Sequence, residues 1–395
     1  MSEAGNFVRR HDLDFIRVVV FGLAIIYHTS LIFGSRHWLI NSTSQLRIFD
    51  IVSLMTHPWR LSILFLISGI ATASLTSRLS PSKVRALRTR QLLPPVLFGT
   101  FFLVPPQMFL SFKDSSGLEM SYLDFWFTYV RFGTVINRSG VEMPLVTMQQ
   151  LWFLAYLWCY MTVLLLALEL RPEIPAQLRT RLGAVLRGKG LLIWPAVFLA
   201  VLRLTIFPIF GDTLLPQTDW YNHIVYFSIF AFGFLIADDD VFWTAVVARR
   251  YEALVVAGVS LFVVVSLFLL YPLDSRGAAV VVFHRVGRSI FQWTAILTIL
   301  GYCRVLITRP HPVITYLNRA ILTYYVLHQT ILVLIAYWLK KTYALNGWSF
   351  VPLVLVTMAC SAVLYEMHRR WSQLLIRRAL ARSSLSPEYG VESGR

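Results

Sequence analysis

Apolar residues occupy this chain in long, nearly uncharged runs separated by short polar stretches. Ten runs approach the length a helix needs to cross a hydrocarbon layer, about 20 residues at roughly 1.5 Å rise each. They cover 14–34, 58–76, 91–112, 150–170, 191–210, 222–237, 252–271, 287–306, 318–338 and 349–367. The pattern predicts an all-α polytopic membrane protein with about ten transmembrane helices, forming one integral-membrane domain over 1–381. Residues 382–395 read as a polar, disordered cytoplasmic tail. No soluble module interrupts the runs, and no internal repeat divides them into matched halves. The first run follows a charged segment, contains Arg17 and lacks a small-residue cleavage pattern, so it is expected to remain as a span.

The connections refine this picture. The longest, 113–149, contains the aromatic stretch Ser121–Arg138, which suits an interfacial helix or an aromatic-belt loop equally. The stretch 77–90 holds five cations and no acid, either as a topology signal or as a phosphate-binding cluster. Composition agrees with a membrane protein, at 57% apolar and 14% charged residues. The net charge of +16 concentrates in the connections on the side of the two termini, which places both termini in the cytoplasm. No nucleic-acid-binding motif accompanies the charge, so nucleic acid is not an expected partner. Cys159, Cys303 and Cys360 all fall in apolar runs without metal or disulfide spacing.

Polar residues inside these runs are the candidates for chemistry, because ionisable groups in a span are costly and usually face a bundle interior or a wet cavity. Arg17 and His28 are eleven positions apart, which returns both to within about 20° of one helix face, roughly 16 Å apart along the axis. Asp14 is one turn below Arg17. His57 and Arg60 are one turn apart at the expected outer edge of the second span, ahead of Ser68-Gly69 in FLISG. Gln150 and Trp152 open QLWFLAYLWCY, Tyr324 and His328 share a face in ILTYYVLHQT, and Glu366 lies at the inner end of the last span. Any one histidine would serve as a satisfied core residue. Three spans each carrying one point to a shared cavity.

DLDFIRVVVFGLAIIYH, FLISG, an Arg-rich stretch running into RQLLPP, QLWFLAYLWCY and ILTYYVLHQTILVL follow one another in this order. That order resembles the acyltransferase 3 family of bacterial membrane acyltransferases over nearly the whole chain. YHTSLIFGSRHWLINS and LYEMHRR favour the branch that succinylates periplasmic glucans. The resemblance implies a multi-pass inner-membrane enzyme with no bound cofactor. It would move an acyl group from cytoplasmic acyl-CoA, succinyl-CoA in that branch, to sugar hydroxyls on the periplasmic side. By resemblance His28 is the essential histidine and Arg17 its paired arginine, while Arg85, Arg88 and Arg90 cover the third-span basic motif that meets CoA. Where the family often has a histidine before LWFL, this chain has Gln150, which retains hydrogen-bonding capacity for a substrate.

Acyl transfer fits these residue types. A sugar hydroxyl is a poor nucleophile near neutral pH, and a neutral imidazole is the side chain suited to take its proton. Arg17 is always cationic, so it would hold the CoA diphosphate or orient Asp14. His57, Arg60, Ser68, Gln150, Trp152, Tyr324, His328 and Glu366 are the candidate substrate contacts. Among them Arg60 would meet a succinyl carboxylate, unless it snorkels to the outer headgroups. Direct attack and an acyl-His28 intermediate are both open, as is a homo-oligomer. The rival classes are a transporter or flippase of an anionic or glycan substrate, a bis-His haem protein using His28, His57 and His328, and a structural scaffold.

Overall fold

The computed structural model describes residues 10–383 apart from 132, 134, 139–140, 214, 272–276 and 343–344; the expected tail lies outside the described residues from 384 onward. The first two spans are helices α1 (His11–Phe33) and α2 (Arg47–Thr76). The third is compound, with α3 (Pro81–Phe98), a π-helical turn over Gly99–Leu103 and α4 (Val104–Ser116). Pro94 and Pro95 each remove a backbone donor inside α3, and the widened π turn follows them directly. The basic stretch expected to be a connection is mostly helical: Pro81, pre-organised for a first helical position, starts α3 ahead of Arg85, Arg88 and Arg90.

A short helix α5 (Tyr122–Tyr129) follows, capped by Ser121, whose hydroxyl accepts from the Asp124 amide at 3.2 Å. The chain then forms an antiparallel hairpin of β1 (Val135–Arg138) and β2 (Val141–Pro144). A helix over the whole of 121–138 is therefore not formed. Gly133 has φ +87°, a left-handed backbone that a continuing helix does not contain. The remaining order is α6 (Trp152–Leu170), α7 (Ile174–Val185), α8 (Gly190–Thr205), the single turn α9 (Phe207–Phe210) and α10 (Trp220–Leu235). After these come α11 (Asp240–Ala248), α12 (Arg250–Leu270), α13 (Ala278–Leu306), α14 (Pro312–Thr342) and α15 (Phe350–Ser383).

Among the described residues nine helical runs are long and apolar enough to cross a membrane. The remaining expected span, 222–237, is α10, whose 16 residues rise only about 24 Å. Contacts at the helix ends show how the passes alternate. Arg10 and Asp12 at the start of α1 meet Arg304 at the end of α13, with Arg304–Asp12 at 3.9 Å. Asn318, early in α14, donates to Asp14 at 2.7 Å, and Tyr316 donates to Glu366, midway along α15. The starts of α1 and α14 and the middle of the long α15 thus lie toward one end of the bundle. At the opposite end Ser42, after α1, donates to the carbonyl of Leu345, before α15.

The outer walls remain apolar, with Val255, Phe262, Trp338 and Leu355 exposed. In a bilayer that is the expected arrangement, because helices satisfy their own backbone groups and present side chains to lipid. Inside, α2 packs against α1, α10 and α13. Its crossing with α10 depends on two glycines. A Cβ on Gly69 would lie 2.0 Å from the Phe230 carbonyl oxygen, and one on Gly233 would lie 2.1 Å from that of Leu66. Backbone meets backbone here, the close approach that small residues permit between membrane helices. Gly69→Ala must push α10 outward, and we expect a cost of about 1–3 kcal/mol or more. Thermal melting in detergent should show a clear fall in Tm for Gly69→Ala. Gly22→Ala, with nothing within 4 Å of the added carbon, should show none.

Candidate active site

Helix periodicity builds the site along α1. Arg17, Phe21 and His28 are spaced by four and seven residues, so they return to one stripe. That stripe borders two chambers. The larger, of about 710 Å³, is lined by His28, His57, Arg60, Gln150 and Trp152 among others. The smaller, of about 400 Å³, is lined by Arg17, Ser68, Arg88 and Arg319. Phe21, Leu64, Phe153 and Tyr325 line both and form the partition. Tyr325 holds that partition together: its ring meets Phe21 at 5.3 Å and Phe153 at 5.8 Å, both edge-on, and its hydroxyl donates to the Gln150 carbonyl.

In the larger chamber His28 Nδ1 is 3.0 Å from His328 Nε2. His328 Nδ1 in turn faces the carbonyl oxygens of Tyr325 at 2.8 Å and Tyr324 at 3.2 Å. A carbonyl only accepts, so His328 carries its proton on Nδ1 and its Nε2 is a lone pair. That lone pair must receive the Nδ1–H of His28. The partner chemistry therefore assigns His28 the tautomer with a bare Nε2. Trp38 stacks on the same imidazole, with centroids 5.9 Å apart and planes 15° apart. His328 is 1% exposed, behind His28 and absent from the chamber wall.

Arg60 is 3% exposed and more than three turns inside α2, so it does not snorkel, and the HPWR segment is interior to the helix instead of at its edge. Its guanidinium lies over the Tyr27 ring, 3.8 Å from the centroid. His57 accepts from Arg288 Nη2 at 2.7 Å if neutral. In the smaller chamber Arg88 Nη1 donates to Gln91 at 3.2 Å and Asn318 ties Asp14 into the neighbourhood of Arg17. Arg85 turns away to Glu169 at 3.5 Å, and Arg90 is exposed outside both chambers. One arginine of the three-residue basic motif therefore reaches the cavity.

Besides His328, two expected contacts lie elsewhere. Tyr324 packs toward Tyr365, with centroids 6.2 Å apart, and Glu366 is occupied by Tyr316 and by Arg369 at 2.7 Å; neither lines a chamber. Tyr325, one residue on from Tyr324 and about 100° round the helix, is the one that reaches the cavity. Gln150 lines the larger chamber, yet its amide donates to the Val326 carbonyl at 3.2 Å and accepts from Gln107 at 3.4 Å. Gln329 donates to Gln107 at 3.0 Å, and Gln107 donates to Thr330 at 2.7 Å. These amides form a buried network, of which the sequence singled out only Gln150. Adjacent Gln149 has φ +43°, an uncommon backbone for a side-chain-bearing residue, at the chamber wall. His328 is not placed as an axial ligand for the bis-His haem reading, because both its ring nitrogens are engaged, by His28 and by the Tyr324 and Tyr325 carbonyls.

The acyltransferase domain family matches residues 10–366 of this chain. Among curated proteins, glucans biosynthesis protein C of Shigella dysenteriae serotype 1 (strain Sd197) is 23% identical over 388 residues, covering 92% of each chain. The protein of the same name from Escherichia coli (strain K12) is also 23% identical, with the same coverage of both chains. No solved structure matches.

Proposed function

The chain belongs to the acyltransferase domain family, and from that membership we propose that it carries an acyl group across the membrane, from cytoplasmic acyl-CoA to hydroxyls of periplasmic glucans. The observation that supports this reading most directly is the His28–His328 pair, which leaves a bare His28 Nε2 on the wall of a chamber that a second, arginine-lined chamber adjoins. The acceptor glucan enters the His28 chamber. CoA occupies the other, its phosphates near Arg17, Arg88 and Arg319, with the thioester directed at the Phe21–Tyr325 partition. The glucan hydroxyl gives its proton to His28 Nε2 as its oxygen attacks the thioester carbonyl. The C–S bond then breaks, the ester is left on the sugar, and His28 returns the proton to the CoA sulfur. During the step the imidazolium is held by its Nδ1–H bond to His328. No protein nucleophile is required. Succinyl is the acyl group we assign, following the resemblance of YHTSLIFGSRHWLINS and LYEMHRR to the branch that succinylates periplasmic glucans.

Mass spectrometry of periplasmic glucans from cells with and without the gene tests this reading. Glucans from cells carrying it should gain the mass of one or more succinyl units. Identical spectra, with the protein expressed and inserted, would sink it. The two chambers also separate the arginines of α3. Arg88→Gln should raise the apparent KM for acyl-CoA by about tenfold or more, the worth of a hydrogen bond to a charged group. Arg90→Gln should change it little. Equal effects would remove the Arg17–Arg88 chamber from CoA binding.

A further inference from the structure

The His28 chamber carries more positive charge than general base catalysis uses, with Arg36 and Arg60 on its wall and Arg288 outside the lining, meeting it through His57. Arg60 and Arg203 are 3% and 8% exposed, and the Nε and Nη1 of Arg60, the Nε of Arg203 and the Nε of Arg288 are buried without a hydrogen-bond partner. No ion pair to a carboxylate is formed by Arg36, Arg60, Arg203 or Arg288 among the described residues. Arg288 Nη2 lies 2.7 Å from His57 Nδ1, and Arg60 follows His57 by one turn of α2. One carboxylate, Asp212, lines the same chamber, and its Oδ1 accepts from Asn222 at 2.7 Å. Asp219 is engaged with Tyr156 at 2.9 Å and with Asn222.

Stacking on Tyr27 uses the face of the Arg60 guanidinium and leaves its in-plane donors for something else. A buried cation lacking an ion pair is strongly unfavourable, and Arg60 is one on the chamber wall. An anion in the chamber would meet its free Nε and Nη1 donors. Tyr27 links Arg60 to the reacting centre, because its ring is 5.3 Å from that of His28 and 5.5 Å from that of His57. An extended four-carbon diacid spans about 4 Å between its terminal carbons, from three bonds of roughly 1.5 Å. An acyl carbonyl presented to His28 would therefore place a terminal carboxylate near Arg60.

We propose that Arg60 on the chamber wall, with Arg288 behind His57, forms an anion-binding site for the terminal carboxylate of a dicarboxylic acyl group, and so selects the donor by its charge. This rests on the acyl-transfer reading above and deepens it. Arg60 binds the carboxylate, while Arg288 adds charge and holds His57. An anionic substituent on the glucan is the other source of the same chemistry, and the experiment separates the two.

The test uses the full-length protein in detergent or vesicles with succinyl-CoA and butyryl-CoA, which share a four-carbon chain and differ in the terminal carboxylate. With a neutral glucan the native protein should favour succinyl over butyryl in kcat/KM by about 30-fold or more, the scale of a buried charge contact. Arg60→Met and Arg288→Met should each bring that ratio toward unity, Arg60→Lys should retain part of it, and the exposed Arg90→Gln should retain it all. A ratio that is unity in the native protein, or that survives both methionine variants, overturns the proposal. So does butyryl transfer that accelerates on an anionic glucan and loses that gain in Arg60→Met, because the charge recognised is then the acceptor's. If no CoA thioester donates to any glucan, the acyl-transfer reading fails, and calorimetry decides the anion site alone. Free succinate, but not its neutral diamide, should bind the native protein and fail to bind the Arg60→Met/Arg288→Met double variant. Absence of succinate binding to the native protein overturns the site.

Discussion

His28→Ala should leave a protein that inserts and melts normally but transfers acyl groups about 10²–10⁴-fold more slowly, the usual worth of a positioned general base. The loss belongs in kcat, because in the proposed reaction His28 meets the attacking hydroxyl and contributes little to holding CoA in the neighbouring chamber. The structure also provides a folding control. Removing His28 frees the Nε2 of His328 while its Nδ1 remains bonded to the Tyr325 carbonyl, so the α14 side of the contact keeps its anchor. Single-turnover transfer with saturating acyl-CoA is the measurement. A rate within a few-fold of native at normal expression would show that another group takes the proton. His28→Gln sharpens the test: an amide can fill the space and hydrogen-bond to His328, yet cannot act as a base at neutral pH. It should be as slow as His28→Ala.

The helices were legible because lipid imposes a simple demand. Every span needs a long apolar run, and positions such as those of α12 and α14 show it whatever their neighbours are. The shared stripe of Arg17 and His28 was legible for the same reason, since it depends on periodicity within one helix. What could not be read was anything decided between helices. FLISG suggested a close approach at Gly69, but nothing in the sequence names Gly233 as the residue that meets it. Tyr324 and Tyr325 are adjacent and chemically identical, and only the rotation of α14 settles which one reaches the cavity. Arg288 falls at the edge of the expected span 287–306. Its meaning comes from meeting His57 across the bundle, 2.7 Å away, a property of the assembled helices. The basic stretch before RQLLPP shows the opposite limit, because three similar arginines on one helix face three different surroundings.

His328 was legible as a site residue but not in its role. As a substrate contact it would have to line the chamber; it lies behind His28 and is 1% exposed. Its backbone partners fix its proton on Nδ1, and that in turn fixes the tautomer and the ring direction of His28. In the proposed reaction it is therefore a positioning residue. His328→Phe keeps the bulk and removes the acceptor, so His28 can turn its protonated nitrogen to the chamber. Its imidazolium also loses the partner that would hold it during proton transfer. Loss of an orienting carboxylate from a catalytic histidine costs about 10⁴-fold in rate, and an uncharged orienter is worth less, so about 10²-fold is expected here. The loss should fall on kcat with the KM for acyl-CoA unchanged, because the Arg17–Arg88 chamber is untouched. His328→Gln offers an amide oxygen to His28 Nδ1–H and should recover part of the rate that phenylalanine loses. A purely structural role predicts otherwise: phenylalanine, the apolar replacement in a buried place, would be the milder of the two. Equal activity in His328→Phe and native protein would dissolve the dyad and leave the tautomer of His28 to be set by something else.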